Sequence, residues 1–182
     1  MSLDGRGHAR LVFETMKPKL QTFTAADVAQ TAPLGTAMLA LNNAHAQELS
    51  WLEPNKLHDI TAHAFLARRI GDADAFVLAL DQDAPYDSPN FLWFRDRYPR
   101  FVYVDRIVVA PAARGRGYAR LLYDDLFDQA AKSGHTHIVC EVNSQPPNPR
   151  SDAFHAALGF DEVGKASIHG DSKTVRYLLR RL

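Results

Sequence analysis

Four consecutive residues, Arg114-Gly115-Arg116-Gly117, carry the first chemistry legible in this chain. They stand between an apolar run and an amphipathic one, where a strand should give way to a helix. A loop in that position presents backbone N–H groups that no helical carbonyl can reach. The helix dipole adds roughly half a positive charge at the same place. Glycine at 115 and 117 removes the side chains that would hold a bulky anion away from those amides. Arg114 and Arg116 supply formal positive charge. Residue types in this order suit a diphosphate held at a helix N-terminus.

Two well-known forms of such a loop are excluded. The dinucleotide-binding pattern needs a third glycine where Arg120 stands, and the P-loop needs Gly-Lys followed by Ser or Thr, which the chain lacks. Other chemistry-bearing residues are sparse. Cys140 is the single cysteine and sits in the apolar run "HIVCEV", so it reads as a buried, inert thiol. With one cysteine there is neither an intrachain disulfide framework nor a multi-cysteine zinc site. His135 and His137 share one side of a strand, but no third ligand is evident, so no metal is expected.

Composition sets the remaining limits. The 182 residues contain 21 Lys plus Arg and 21 Asp plus Glu, which gives no overall bias towards nucleic acid or anionic membrane. Any electrostatic function must come from a local cluster. The length and the 46% hydrophobic content suit one domain over 1–182, with residues 1–18 read as an N-terminal extension. There is no apolar window of about 18 residues and no signal-peptide core, so the expected location is cytoplasmic.

The elements that must position the loop follow from periodicity. Leu20 to Thr24 reads as a strand entering a helix capped by Thr24. The alanine-rich segment to about Glu48 reads as helical with a break near Pro33, and residues 55–66 as a second helix. "FLARRI" and "AFVLALD" form a hairpin about "GDAD". "QDAPYDSPNFLWFRDRYPR" reads as a long irregular stretch. "FVYVDRIVV" is apolar on both faces, as a central strand should be. Residues 118–132 put Leu122, Leu126 and Ala130 on one helical stripe. "HIVCEV" is another buried strand, Ser151 is a candidate cap for a short helix ending at Gly159, and "FDEVGKA" with "KTVRYLLRRL" closes the chain as a hairpin around His169-Gly170-Asp171. This order makes a mixed sheet with helices on its faces.

On these residues the chain resembles the GNAT superfamily of N-acetyltransferases. "Arg114-Gly115-Arg116-Gly117-Tyr118-Ala119" is similar to that family's Arg/Gln-x-x-Gly-x-Gly/Ala signature, and Asn148 to Phe160 resembles its second element. More narrowly, "YDSPNFLWF", "YVDRIVV", "CEVNSQPPNP" and "FHAALGF" resemble a bacterial branch described as predicted acetyltransferases. The resemblance spans Leu20 to Leu182. It implies an α/β (α+β) fold with a mixed, mostly antiparallel sheet of six or seven strands, splayed between the fourth and fifth, and about four flanking helices. The prolines at 146, 147 and 149 support the splay independently, since they have no N–H to give a ladder.

The resemblance also implies direct acetyl transfer from acetyl-CoA to an amine in a ternary complex. The diphosphate would lie on the loop amides of Arg114, Gly115, Arg116, Gly117, Tyr118 and Ala119. The pantetheine arm would pair with the backbone of Ile107, Val108 and Val109 and touch Asn148. His155 stands where the family usually has the tyrosine that protonates the leaving thiolate; it is either the acid or a structural histidine beneath the cofactor. Asp105, taken to share a face with Ile107, is the first candidate base, or else it pairs with a neighbouring arginine; Glu141 is the second. A lysine-type amine costs roughly 4–5 kcal/mol to deprotonate at pH 7 and an α-amine about 1, so the need for a base depends on the acceptor.

Two polar groups are candidates for acceptor selection: Asn42, Asn43, His45 and Glu48, and Tyr86, Asp87, Ser88 and Asn90. Their commoner use is capping or solvation. Phe91, Trp93 and Phe94 either line an apolar acceptor pocket or cover the sheet, and Arg176, Arg180 and Arg181 read as solvated. The expected partner is a small-molecule or peptide amine, with no nucleic acid, membrane or metal, and with room for a homodimer. From a different class comes an acetyl-CoA-binding sensor or interaction module that lost catalysis along with the tyrosine.

Overall fold

The computed structural model describes residues 18–168 and 173–182. The extension read at 1–18 lies outside these but for its last residue, and the turn read at His169-Gly170-Asp171 lies outside them entirely. Seven strands form one sheet: β1 (Leu20–Thr22), β2 (Leu66–Ile70), β3 (Ala75–Asp81), β4 (Val102–Val109), β5 (His137–Gln145), β6 (Asp161–Ile168) and β7 (Lys173–Arg181). Their spatial order is β1-β2-β3-β4-β5-β7-β6. Six helices cover it: α1 (Pro33–Asn43), α2 (Ala46–Leu49), α3 (Pro54–Ala62), α4 (Pro89–Arg95), α5 (Tyr118–Lys132) and α6 (Pro149–Ala157).

Every neighbouring pair is antiparallel except β4 and β5. That parallel pair is joined only at Val102↔Ile138 and Tyr103↔Val139. Beyond it, β4 stays with β3 as far as Val109↔Ala75, while β5 stays with β7 as far as Gln145↔Thr174. Each strand keeps its outer neighbour and loses its inner one, so the sheet opens into a V.

The two faces of the sheet carry separate cores. On one, Phe23, Met38, Leu57, Phe91, Phe94, Tyr103 and Tyr177 pack together under α1, α3 and α4. On the other, Leu122, Tyr123 and Leu126 of α5 meet Val102, Val104, Ile138 and Cys140. From Ala75 to Leu80, β3 is buried on both faces, and it needs both cores to satisfy its continuous apolar run.

The stretch read as irregular holds α4. Ser88 and Pro89 mark a local helix start, but its seven residues include three aromatics of modest helix propensity and are too few to hold a helix alone. Packing makes it one. Phe91 and Phe94 are fully buried, Phe94 lies edge-on to Tyr177 at 5.2 Å, and Trp93 stacks on Tyr177 at 4.2 Å. These aromatics cover the sheet. Gly164 of β6 completes that packing, because a Cβ there would lie 2.5 Å from Trp93 Cζ2. Gly164→Ala is therefore expected to displace Trp93 and destabilise the fold by about 1–3 kcal/mol, read as a lower urea midpoint with unchanged slope.

Three local expectations change. The N-cap of α6 is Asn148, whose side chain accepts from the Ser151 N–H at 3.3 Å; Ser151 lies inside the helix. Arg176 is paired with Asp152 and Glu162 rather than solvated. Arg180 lies over the Phe127 ring at 3.8 Å and donates to the Leu158 carbonyl at 2.8 Å.

Candidate active site

The V between β4 and β5 opens into a groove of 1170 Å³ that runs from the β4–α5 loop, past the divergence of the two strands, to a wall formed by residues 48–52 and 86–90. At the loop end, Gly115 and Gly117 have φ of +77° and +76°, where a side chain is strained. A Cβ built on either meets nothing within 4 Å. These glycines therefore leave open space above the loop and are not forced by neighbouring atoms. Gly117 is the N-cap of the 15-residue α5 and has no side-chain cap, so the first amides of the helix are left for a ligand. Arg114, Arg120 and Arg150 line this end. Arg114 reaches across to His45 Nε2 at 3.3 Å. The space, the amides and the charge all fit a diphosphate.

In the middle of the groove, the inner edge of β4 has no strand partner after Tyr103. Ile107, Val108 and Val109 therefore offer backbone groups to the groove, as an exposed sheet edge does. Asn148 lines the opposite side, at the end of β5.

The structure corrects the face assigned to Asp105. The β3–β4 register shifts between Leu78 and Ala79, which pair with Arg106 and Val104, so Asp105 is the extra residue of a bulge. Alternation is reset there. Ile107 packs in the α5 core, whereas Asp105 turns to the opposite face with Tyr86. Tyr86 donates to Oδ1 at 2.6 Å and Arg106 Nε to Oδ2 at 2.6 Å. The Asp105 and Arg106 side chains are only 4% and 6% exposed. Arg106 also donates to Asn42 Oδ1 at 2.8 Å. Both oxygens of Asp105 are thus engaged, Oδ2 in a buried ion pair with Arg106 and Oδ1 by the Tyr86 hydroxyl.

Glu141 stands where the strands part. It receives the Tyr103 hydroxyl at 2.8 Å and the Asn90 side-chain N–H at 2.9 Å, and Tyr177 in turn holds Asn90 Oδ1 at 3.0 Å. Burial pushes its pKa up to about 7; the Tyr103 hydrogen bond opposes that rise and Asp105 adds to it. A carboxyl that ionises near neutrality while bordering a groove is equipped to accept a proton.

His155 lies below the same point and is buried. Its Nδ1 donates to the Ser151 carbonyl at 2.8 Å, and its Nε2 is 2.8 Å from the Tyr123 hydroxyl. Burial lowers its pKa, against the Ser151 carbonyl and Asp152, which raise it. Burial pushes the Tyr123 phenol well up, with Cys140 beside it.

The asparagines at 42 and 43 turn out to build the wall. Asn43 accepts from the Leu52 N–H at 2.9 Å and donates to its carbonyl at 3.0 Å, while Asn42 donates to the Ser50 carbonyl at 3.1 Å. Asn143 holds Gln47 from β5 at 3.2 Å. Together they pin the segment that presents Glu48 and Trp51, the latter 65% exposed at the groove mouth. Of the second polar group, Tyr86 and Asn90 are turned inward to the two carboxylates, whereas Asp87 is solvent-facing and paired with Lys56 at 3.4 Å. Tyr103, Tyr123 and Trp51 also border the groove, and no motif in the sequence marks them. The signal for the tyrosines is a hydroxyl at an otherwise aliphatic core position, which must find a polar partner. Among the described residues there is no cluster of three His, Cys, Asp or Glu that could hold a metal, and no helix long and apolar enough to cross a membrane.

Comparison with known proteins agrees with this geometry. Residues 40–160 match the model of the acetyltransferase (GNAT) family. The fold is similar to that of Ard1 from Thermoplasma volcanium, with TM-score 0.67 and 12% identity over 90% of this chain and 97% of that one. It is also similar to a ribosomal-protein-alanine N-acetyltransferase from Brucella melitensis, with TM-score 0.63 and 18% identity over 90% and 99%. A chain of the NatC complex bound to Gag peptide and CoA superposes with TM-score 0.67 and 11% identity over 92% and 99%.

Proposed function

The chain belongs to the acetyltransferase (GNAT) family, and from that membership we propose that it moves an acetyl group from acetyl-CoA to an amine, directly, in a ternary complex. The observation that carries this reading is the open V, with a glycine-lined, cationic cradle at one end and a half-buried carboxyl of pKa about 7 at its vertex. Acetyl-CoA supplies an acetyl group activated as a thioester. The loop amides of 114–119 would bind its diphosphate. The β4 edge at Ile107 to Val109 would pair with the pantetheine arm, and Asn148 would touch that arm.

Glu141 is the proposed base. Asp105 is the first candidate from the sequence, but it is the buried ion-pair partner of Arg106, whose charge would be left unpaired without it, whereas Glu141 accepts only from the neutral donors Tyr103 and Asn90. Asp105 instead holds the vertex in shape. A base of pKa about 7 takes a proton from an α-ammonium at a cost of about 1 kcal/mol, against about 4–5 for a lysine-type ammonium. The acceptor class favoured by this arithmetic is therefore an α-amine, on a peptide or a small molecule.

The test is release of free thiol from acetyl-CoA, followed with a panel of peptide α-amines, lysine side-chain amines and small amines. Thiol release with α-amines is expected. Binding of acetyl-CoA with no release against any acceptor would favour the non-catalytic module.

A further inference from the structure

We propose that the leaving thiolate is protonated by Tyr123, with His155 as the source of the replacement proton; this rests on the acetyl-CoA reading above. His155 has no ring nitrogen free to do it directly. The Ser151 carbonyl, 2.8 Å from Nδ1, can only accept, and it lies closer than the Ser151 hydroxyl at 3.2 Å, which can also accept, so the shorter contact keeps the hydrogen on Nδ1. The ring's exchangeable proton is therefore on Nε2, and the atom facing Nε2 is the Tyr123 hydroxyl oxygen at 2.8 Å. In the neutral ring the hydroxyl donates to Nε2. In the imidazolium Nε2–H donates to the hydroxyl oxygen, and the hydroxyl's own hydrogen is released to another acceptor.

Without a ligand, the neighbour that takes this hydrogen is the Cys140 thiol, and the placement of both groups at the opening of the V offers the leaving sulfur in its stead. Val139 is the last β5 residue paired with β4, and Cys140 and Glu141 follow where the gap begins. Successive strand residues point to opposite faces. Cys140 faces the α5 core beside Tyr123, and Glu141 faces the other side with Tyr103 and Asn90. A proton acceptor and a hydroxyl donor thus flank the opening of the V from opposite faces of the sheet. An amine entering on the Glu141 side would expel sulfur towards Tyr123. The charged neighbours of the imidazole are Asp152, one turn back in α6, and Arg176 of β7, which pairs with it.

The step balances. The amine nitrogen bonds to the carbonyl carbon and gives a proton to Glu141. The C–S bond breaks and its electron pair stays on sulfur. The Tyr123 hydroxyl proton passes to sulfur, and the Nε2 proton of the imidazolium passes to the Tyr123 oxygen. The ring is left neutral, with Tyr123 donating to it, and regains a proton from water between turnovers.

The experiment compares wild type, Tyr123→Phe and His155→Gln by calorimetric binding of acetyl-CoA, by turnover, and by ultraviolet titration of the thiol of bound CoA. Tyr123→Phe is expected to bind acetyl-CoA within threefold of wild type, to turn over about 100-fold more slowly, and to ionise bound CoA about one pH unit higher, having lost the donor to the thiolate. His155→Gln should slow turnover comparably. A purely structural role would lower the melting temperature without moving the thiol titration. Wild-type turnover in either variant, or an unmoved thiol titration in Tyr123→Phe, overturns the relay alone. No CoA binding by the wild type overturns the acetyl-CoA reading and the relay with it.

Discussion

Gly117→Asp is expected to abolish acetyl-CoA binding in a protein that stays folded. The substitution separates ligand from fold because of where the glycine sits. Its φ of +76° is one that an aspartate adopts at a cost of about 1–2 kcal/mol, and nothing lies within 4 Å of the new Cβ to force rearrangement. The carboxylate would occupy the space above the first amides of α5. There it would meet the diphosphate at short range, where two like charges about 4 Å apart repel by about 4 kcal/mol at the effective dielectric of a protein surface. Even half of that, discounted for salt and side-chain freedom, weakens binding about 30-fold, and both phosphates contribute. Calorimetry should show a wild-type Kd in the micromolar range and a loss of at least 100-fold in the variant, with a urea midpoint only slightly lowered. Unchanged affinity would place the diphosphate elsewhere.

Glu141→Gln is expected to lose most of the activity and gain stability above neutral pH. The amide cannot take the acceptor's proton, so turnover should fall about 10²–10³-fold, more for a lysine-type amine than for an α-amine. Wild-type kcat/KM should rise tenfold per pH unit below about 7 and then level, and the variant should lack that limb. The stability effect has the opposite sign. Because the folded pKa lies above its ordinary 4.5, the protonated carboxyl is the form the fold prefers. The stability tied to it is full below about pH 4.5 and is lost as pH rises through 7. A rise from 4.5 to about 7 corresponds to about 3 kcal/mol, so the variant should be the more stable protein at pH 8 and gain little at pH 4. Urea denaturation at the two pH values checks this, and a wild-type rate would remove Glu141 from the chemistry.

Much of this protein was determined locally and is legible in its sequence. The stripe of Leu122, Leu126 and Ala130 specifies the buried face of α5, and a run apolar on both faces specifies a central β4. Two glycines between them specify a loop whose amides stay uncovered. Three prolines after β5 specify where its pairing ends. Each of these depends on dihedral preferences and periodicity within about 15 residues.

What the tertiary structure alone decided concerns polar groups whose partners lie far away in the chain. The extra residue at Asp105 resets the alternation of β4, and that bulge exists only against β3. Helix α4 forms because Tyr177 and Phe101 receive its aromatics. Asn42 meets Arg106 across 64 residues and Asn143 meets Gln47 across 96, so residues that look free to touch a substrate are spent on holding its wall. His155 has its tautomer set by Ser151 within its own helix, but its outlet set by Tyr123, 32 residues earlier on another. A buried polar atom must find a partner or lose a few kcal/mol. Which partner it finds depends on the packing of the whole domain, and no local pattern encodes it.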